Sequence, residues 1–176
     1  MRTLLPDPPP PELQGPLREL LERRRRWGAD THDEVWEGVL HMAPAPHRRH
    51  AELQVQVMDR LREPAERMGL TRVAEFNLGE PGDYRVPDGG LFGSGPGDLY
   101  NPTTALVVEV LSPGDDTWKK LPFYTAHHVE EILIVDPDER SVQWLALTED
   151  GYRPVDRSTL VELGPVEMEH GIEWPD

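Results

Sequence analysis

Two short apolar runs constrain the fold of this 176-residue chain more than any other feature. Residues 105–111 and 131–135 are nearly continuous in apolar side chains and rich in β-branched ones. This pattern is typical of central strands that are covered on both faces of a sheet. The segment between them, residues 115–128, has the length of a helix. The runs therefore predict an α/β fold in which a mixed β-sheet is flanked by helices.

The rest of the chain predicts three regions. Residues 1–15 are rich in proline, which favours extended backbone, and we expect a flexible arm there. Residues 16–28 place leucines at helical spacing and end at Gly28, which predicts a short amphipathic helix. Residues 29–176 are expected to form one domain. Its further predicted elements are two short strands in 33–42, a long helix over 47–68, strands over 73–78 and 83–87, and a glycine-rich loop after them.

The composition disfavours several classes of protein. The chain has 33 acidic and 18 basic side chains, a net charge of −15, which argues against coating nucleic acid by bulk attraction. A local basic patch or a bound metal could still reverse the sign at one site. The absence of cysteine removes disulfides and thiolate metal sites, and it suits a reducing compartment such as the cytoplasm. No apolar run is long enough to span a membrane, and the N-terminus has no apolar signal region.

Glu109 is the most informative single position. It interrupts an apolar run that otherwise suits the interior of a sheet. A buried carboxylate is costly, so it must neutralise, pair with a charge or bind a cation. The simpler alternative is a glutamate at a strand end that faces water or pairs with an arginine.

Asp88 is a second acid in a suggestive place. It follows a candidate strand in Arg85-Val-Pro-Asp-Gly, and Pro-Asp-Gly alone is also an ordinary turn signal. If the turn lies at the rim of the sheet, Asp88 and Glu109 could supply oxygen ligands to one cation. Mg²⁺ needs only one or two carboxylates, with waters and substrate phosphate completing its coordination.

The lysines sharpen this interpretation. Lys119 and Lys120 are the only lysines among the 18 basic residues. Arginine stays protonated, whereas a lysine near a metal can orient water or place a compact charge on a phosphate. A coincidental surface pair remains the alternative. Pro122 does not suit a helix interior, so we expect the helix to begin near Leu121, with Lys120 just before its first residue. Lys119 could then take the place of Lys120 as the functional lysine.

These residues belong to motifs that follow one another along the chain. The motifs are Pro87-Asp88, Glu109-Val-Leu-Ser112-Pro113, Asp116 with Lys120 and then Tyr124, and Glu131-Ile-Leu-Ile-Val-Asp136-Pro137.

The combined motifs resemble the Uma-two family of the PD-(D/E)XK nuclease superfamily. The resemblance covers roughly residues 29–170 and includes Glu34-Val-Trp-Glu-Gly-Val-Leu ahead of the long helix. It implies a restriction-endonuclease-like core, and an enzyme that hydrolyses phosphodiester bonds with Mg²⁺ or Mn²⁺, with DNA as the expected substrate. Cutting both strands of a duplex would be simplest for a homodimer.

The resemblance also implies roles for four residues. Asp88 and Glu109 would hold the metal, and Lys120 would assist the attacking water. The superfamily's usual lysine position, two residues after the glutamate, is Leu111 here, so the lysine would reach in from the following helix, as is expected in this family. Glu34 matches the glutamate of the N-terminal motif and would be a further ligand, an orienting base or a structural residue.

The histidines and arginines are less specific. His47 and His50 lie three residues apart near a helix start, but no third ligand is nearby, so a capping or surface role is expected. A histidine-based metal hydrolase therefore lacks a ligand set. Arg23–Arg26, Arg48 and Arg49 are candidate phosphate contacts, and pairing of the arginine run with surplus acids is the alternative.

Two functions of different classes remain. The first is a metal-dependent endonuclease, favoured by Asp88, Glu109 and Lys120 together. The second is an inactive nuclease-fold domain that serves as a binding or scaffold module, favoured by the acidic net charge.

Overall fold

The computed structural model describes residues 3–5, 11–95, 97–114 and 116–175, which form five helices and twelve strands. The helices are α1 (Pro11–Arg26), α2 (Arg48–Arg60), α3 (Arg62–Arg67), α4 (Thr117–Ala126) and α5 (Pro165–Glu169). The strands are β1 (Thr3–Leu5), β2 (Glu34–Trp36), β3 (Val39–Met42), β4 (Thr71–Val73), β5 (Asn77–Glu80), β6 (Asp83–Arg85), β7 (Gly89–Phe92), β8 (Tyr100–Asn101), β9 (Leu106–Val110), β10 (Glu131–Asp136), β11 (Ser141–Thr148) and β12 (Gly151–Pro154).

The two apolar runs form the centre of one mixed sheet, which we call the core sheet. Its strand order is β12-β11-β10-β9-β7-β4, with β9 and β10 parallel and the other pairs antiparallel. Alternate residues of β9 face opposite sides, as strand geometry requires. Val108 packs with Leu53 of α2 on one side, and Val107 packs with Phe123 of α4 on the other. The predicted central strands and their two covered faces are confirmed.

A second mixed sheet holds the N-terminal part of the molecule. Its order is β1-β3-β2-β6-β5-β8, whereas the sequence led us to expect one sheet. The two predicted strands in residues 33–42 are confirmed as β2 and β3, joined by a turn in which Glu37 and Gly38 have positive φ. This hairpin pairs with β6 through Val35 and Tyr84, a contact far apart in sequence that no local pattern predicts.

The N-terminal region differs from the prediction. Helix α1 begins at Pro11 rather than at residue 16, and residues 3–5 form β1 along β3. Proline is acceptable in a first helical turn because its missing N–H needs no partner there, so Pro11 can begin a helix. Residues 1, 2 and 6–10 of the predicted flexible arm lie outside the described residues. The division of the chain into arm, helix and domain stays a prediction.

The prolines and glycines of the middle region also act differently from expectation. The long helix predicted over 47–68 is divided into α2 and α3, and Pro64 falls in the first turn of α3, where proline is tolerated. The strand predicted over 73–78 is replaced by the ends of β4 and β5. The predicted glycine-rich loop contains β7 and β8.

No helix of the described residues is long and apolar enough to cross a membrane.

Gly90 explains why a strand lies in that glycine-rich segment. A β-carbon built on Gly90 would be 2.7 Å from the carbonyl oxygen of Leu106 and 2.7 Å from the ring of Phe76. Glycine is therefore needed at position 90 for β7 to pair closely with β9. Strand β7 begins at Gly89, directly after Asp88.

We expect Gly90→Ala to lower the free energy of unfolding by about 1–3 kcal/mol, because the added methyl group overpacks this contact. Gly93→Ala is the matched control, since a β-carbon at Gly93 meets nothing within 4 Å. Urea denaturation of both variants measures the difference. Equal stability of the two variants would contradict the close approach of β7.

Candidate active site

The ammonium group of Lys120 lies between two buried carboxylates. Its Nζ is 2.8 Å from Oε1 of Glu109 and 3.0 Å from Oε1 of Glu34. Glu34 and Lys120 are each 1% exposed and Glu109 is 3% exposed. A buried charge requires an opposite partner, and here one cation serves two acids. With both carboxylates ionised, the three side chains together carry one net negative charge.

Strand β9 and helix α4 bring Glu109 and Lys120 together. The alternation of β9 directs Glu109 toward α4, where Lys120 and Tyr124 are one turn apart on the same face. The Tyr124 hydroxyl also donates a hydrogen bond to Oε1 of Glu109. The predicted alternative of a surface or strand-end Glu109 facing water is therefore wrong.

The start of α4 differs from the prediction. The helix begins at Thr117 and continues through Pro122, so Lys120 lies within it rather than at its mouth. The burial of Lys120, Phe123 and Tyr124 along this helix offsets the hydrogen bond that Pro122 cannot donate. Lys119 points away, with a 73% exposed side chain paired to Asp116 at 2.7 Å. Of the two lysines, the structure brings only Lys120 to the carboxylates.

Glu34 is held by its own strand and by Val86, the residue after β6. Its Oε1 accepts a hydrogen bond from the backbone N–H of Val86 at 3.0 Å, and its Oε2 accepts one from Nε1 of Trp36 at 2.8 Å. The guanidinium of Arg85 stacks on Trp36 at 4.4 Å and on Phe123 of α4 at 3.9 Å. The second sheet thereby places Glu34 against Lys120.

Asp88 lies between β6 and β7, at the end of β9. Its Oδ2 accepts a hydrogen bond from the backbone N–H of Val110 at 2.7 Å, next to Glu109 in sequence. Its carbonyl oxygen accepts a hydrogen bond from Nε2 of Gln54 at 2.6 Å. The turn signal Pro-Asp-Gly therefore places the Asp88 carboxylate beside the strand that carries Glu109.

His50 is the site residue that the sequence interpretation missed. Its Nε2 is 2.8 Å from Oδ1 of Asp88, and its Nδ1 is 3.1 Å from the hydroxyl of Ser112. The expected capping or surface role is wrong for this residue. His47 does take the N-cap position of α2, but its side chain makes no cap hydrogen bond. No local signal in the sequence indicates these contacts, because they join residues 38 and 62 positions apart.

Asp88, Glu109 and Lys120 line one cleft of about 260 Å³, and Glu34 lies behind it. The cleft is bounded by α2, the end of β9 and the segment after β3. Its other polar lining residues are His32, His47, His50, Glu75 and Ser112.

Comparison with known proteins identifies the family of the chain. The family model described as "Uma2: Putative restriction endonuclease" matches residues 19–174 of the chain. The chain belongs to the Uma2 family. The match confirms the predicted resemblance and supports a nuclease.

A solved structure shares the Uma2 chain's fold. It is the crystal structure of a putative nuclease belonging to DUF820 from Anabaena variabilis ATCC 29413, with a TM-score of 0.65 and 16% identity. The match covers 79% of this chain and 90% of that chain. No curated protein sequence matches the chain. The predicted α/β, restriction-endonuclease-like fold is confirmed by this likeness.

The donor atoms of the Uma2 cleft suit a hard cation. Within the described residues, no group of three or more histidine and acidic side chains is arranged to hold a metal. A Mg²⁺ site needs fewer protein ligands than three, because one or two carboxylates with waters suffice. Both contacts to Glu109 use Oε1, and Oε2 accepts no hydrogen bond from the described residues. Asp88 and Glu109 therefore fit such a cation.

The candidate phosphate contacts include arginines that bind other residues of the chain and arginines that are exposed. Arg24 forms an ion pair of 2.5 Å with Asp33, the pairing with surplus acid that was the alternative for the arginine run. Arg23, Arg25 and Arg26 are exposed on the same helix end. Arg48 pairs with Glu52 on α2 at 2.6 Å, and Arg49 donates to the carbonyl oxygen of Pro175 at 3.4 Å.

Burial raises the pKa of Glu109 from 4.5 to about 7. The Lys120 ammonium opposes this shift, whereas the charges of Asp88 and Glu34 increase it. Burial next to these acids also raises the pKa of the Tyr124 hydroxyl, so it stays protonated and donates to Glu109. The raised pKa of Glu109 thus reflects chiefly the removal of its carboxylate from water.

This shift predicts a pH-dependent stability. Because the folded-state pKa of Glu109 lies above its ordinary value, the folded protein binds this proton more tightly than the unfolded chain. The stabilisation is full below pH 4.5 and is lost as the pH rises to about 7.

We expect the free energy of unfolding of the metal-free protein to fall over that range relative to Glu109→Gln, whose amide does not titrate. Urea denaturation in a chelator at several pH values measures both proteins. Parallel pH profiles would contradict the raised pKa of Glu109.

Proposed function

We propose that the protein is a metal-dependent endonuclease that hydrolyses phosphodiester bonds, with DNA as its substrate. The observation that carries this proposal is the convergence of Asp88, Glu109 and Lys120 on one cleft, with Lys120 Nζ 2.8 Å from Glu109. The family match supplies the nuclease class, and this site supplies groups for the chemistry. The exposed arginines of α1 offer a surface for the substrate backbone.

Asp88 and Glu109 would hold Mg²⁺ or Mn²⁺, through oxygens that line the cleft. The cation, when bound, would polarise the phosphate and lower the pKa of a water. The hydrogen bond from Val110 to Asp88, which holds Asp88 beside the strand that carries Glu109, supports a cation shared by the two acids.

Lys120 would act on the charge of the reacting phosphate. Lys120 lines the cleft, and its ammonium would stabilise negative charge that increases in the transition state. Glu34 would act through Lys120 as a positioning residue, because it bonds the ammonium from behind and does not line the cleft. Of the three roles left open for Glu34 by the sequence (further ligand, orienting base or structural residue), this assignment favours the structural one.

Cleavage of plasmid DNA in Mg²⁺ or Mn²⁺ tests the proposal. We expect Glu109→Gln to lower the cleavage rate at least about a hundredfold, because it removes one of two charged ligands. Lys119→Ala is the control, since Lys119 is exposed and pairs with Asp116, and it should cleave like the wild type.

Two results would contradict the assignment. Equal cleavage by wild type and Glu109→Gln would show that the activity comes from another site. An intact plasmid after incubation with folded wild-type protein and either metal would favour the competing scaffold module. Two observations favour that module. The net charge is acidic, and the two buried ion pairs of Lys120 would also stabilise the fold of an inactive domain.

The exposed arginines of α1, which we call the arginine patch (Arg23, Arg25, Arg26), flank Arg24 in the sequence. Arg24, in the same helical turn, donates to the carbonyl oxygen of Ala43 at 3.2 Å, and Ala43 lines the cleft. The ion pair of Arg24 with Asp33 fixes this end of the helix. These contacts of Arg24 support the neighbouring patch as a surface that binds the phosphate backbone.

Salt dependence tests the arginine patch. Replacing its three arginines by alanine should weaken duplex DNA binding and make the slope of log K against log salt less steep by about 0.9 per lost phosphate contact. The measurement uses Glu109→Gln as the background to suppress cleavage. The matched control replaces three exposed arginines outside α1, which pair with Asp59, Asp150 and Glu167: Arg62, Arg153 and Arg157. Equal slopes for the patch and control variants would contradict the interface.

A further inference from the structure

We propose that His50 is a positioning residue that holds the Asp88 carboxylate in the orientation required for metal binding. This inference rests on the proposed metal-dependent function and adds a residue that the metal-site motif does not include. It is carried by the two hydrogen bonds of the imidazole, which connect Asp88 to Ser112.

The hydrogen-bond partners of the His50 ring determine which of its nitrogens carries the hydrogen. A carboxylate only accepts hydrogen bonds, so Nε2 of His50 carries the hydrogen that lies between it and Oδ1 of Asp88. The Ser112 hydroxyl is 3.1 Å from Nδ1 and can donate to it. Ser112 lies just after β9, so the strand that carries Glu109 also sets the orientation of the His50 ring.

Asp88 is fixed by two donors at its two oxygens. Val110 N–H binds Oδ2 at 2.7 Å and His50 binds Oδ1 at 2.8 Å. Two donors on opposite oxygens determine the plane of a carboxylate, whereas one donor leaves it able to rotate. Gln54, one turn after His50 on α2, holds the Asp88 backbone through its carbonyl oxygen. Helix α2 therefore fixes both the main chain and the side chain of Asp88.

This arrangement predicts an effect on metal affinity. Each carboxylate oxygen can accept more than one interaction, so a cation can bind Asp88 while His50 and Val110 remain bonded. Hydrogen bonds to ligands orient them, and their loss typically costs about tenfold to a hundredfold in metal affinity. Loss of His50 should weaken the cation site without removing either carboxylate.

The experiment compares Mn²⁺ binding to the full chain, measured by electron paramagnetic resonance, across substitutions at residue 50. We expect His50→Ala to raise the Kd for Mn²⁺ about tenfold. His50→Gln should restore most of the affinity, because its amide nitrogen reaches the place of Nε2. His50→Asn should not, because its shorter side chain reaches only the place of Nδ1. His170→Ala is the control, since His170 is exposed and does not line the cleft.

Each result decides between alternatives. A Kd for His50→Ala equal to that of the wild type, with Mn²⁺ bound by both, overturns the role of His50 and leaves the proposed function standing. No Mn²⁺ binding by folded wild-type protein overturns both proposals. A nitrogen hyperfine coupling to Mn²⁺ that disappears in His50→Ala identifies a direct ligand and also overturns the positioning role. Rescue by glutamine but not asparagine, without that coupling, supports it.

Discussion

The candidate site depends on one buried ammonium group that serves two buried carboxylates. Lys120 lies within 3.0 Å of both Glu34 and Glu109, and removal of Lys120 would leave two carboxylates in the interior without their cation. A lysine suits this place because its compact ammonium carries three donors on a narrow stem. The planar fork of arginine would need more room between the two acids. This requirement gives a physical reason for a lysine in a chain that otherwise uses arginine.

The same ion pairs join parts of the chain that are distant in sequence. Glu109 comes from the core sheet, Lys120 from α4 and Glu34 from the second sheet. The stacking of Arg85 between Trp36 and Phe123 repeats this connection with apolar and cation–π contacts. The second sheet must therefore pack against α4 before Lys120 has both partners. The site and the packing of the two sheets form together.

The sequence predicted those parts whose signal is local. Glu109 stands out because it interrupts an apolar strand, and the lysine pair stands out through composition. The choice between Lys119 and Lys120 was not predictable from Pro122, because tertiary burial outweighs the hydrogen bond that proline lacks. His50 was missed because its contact depends on how α2 lies against Asp88. The second sheet was missed because β2 meets β6 across some fifty residues, from Val35 to Tyr84.

The acidic net charge and a nucleic-acid substrate conflict only if charge is averaged over the surface. Charges separated by more than about 8–10 Å are largely screened at physiological salt, so local groups determine the potential at the cleft. There, Glu34 and Glu109 exceed Lys120 by one negative charge when ionised, and Asp88 adds a further acid. Such a surplus attracts a divalent cation, which in turn would offer positive charge to a phosphate. Under the proposed function, the acids nearest the reaction make phosphate binding depend on metal, and the arginine patch would bind the backbone beyond it.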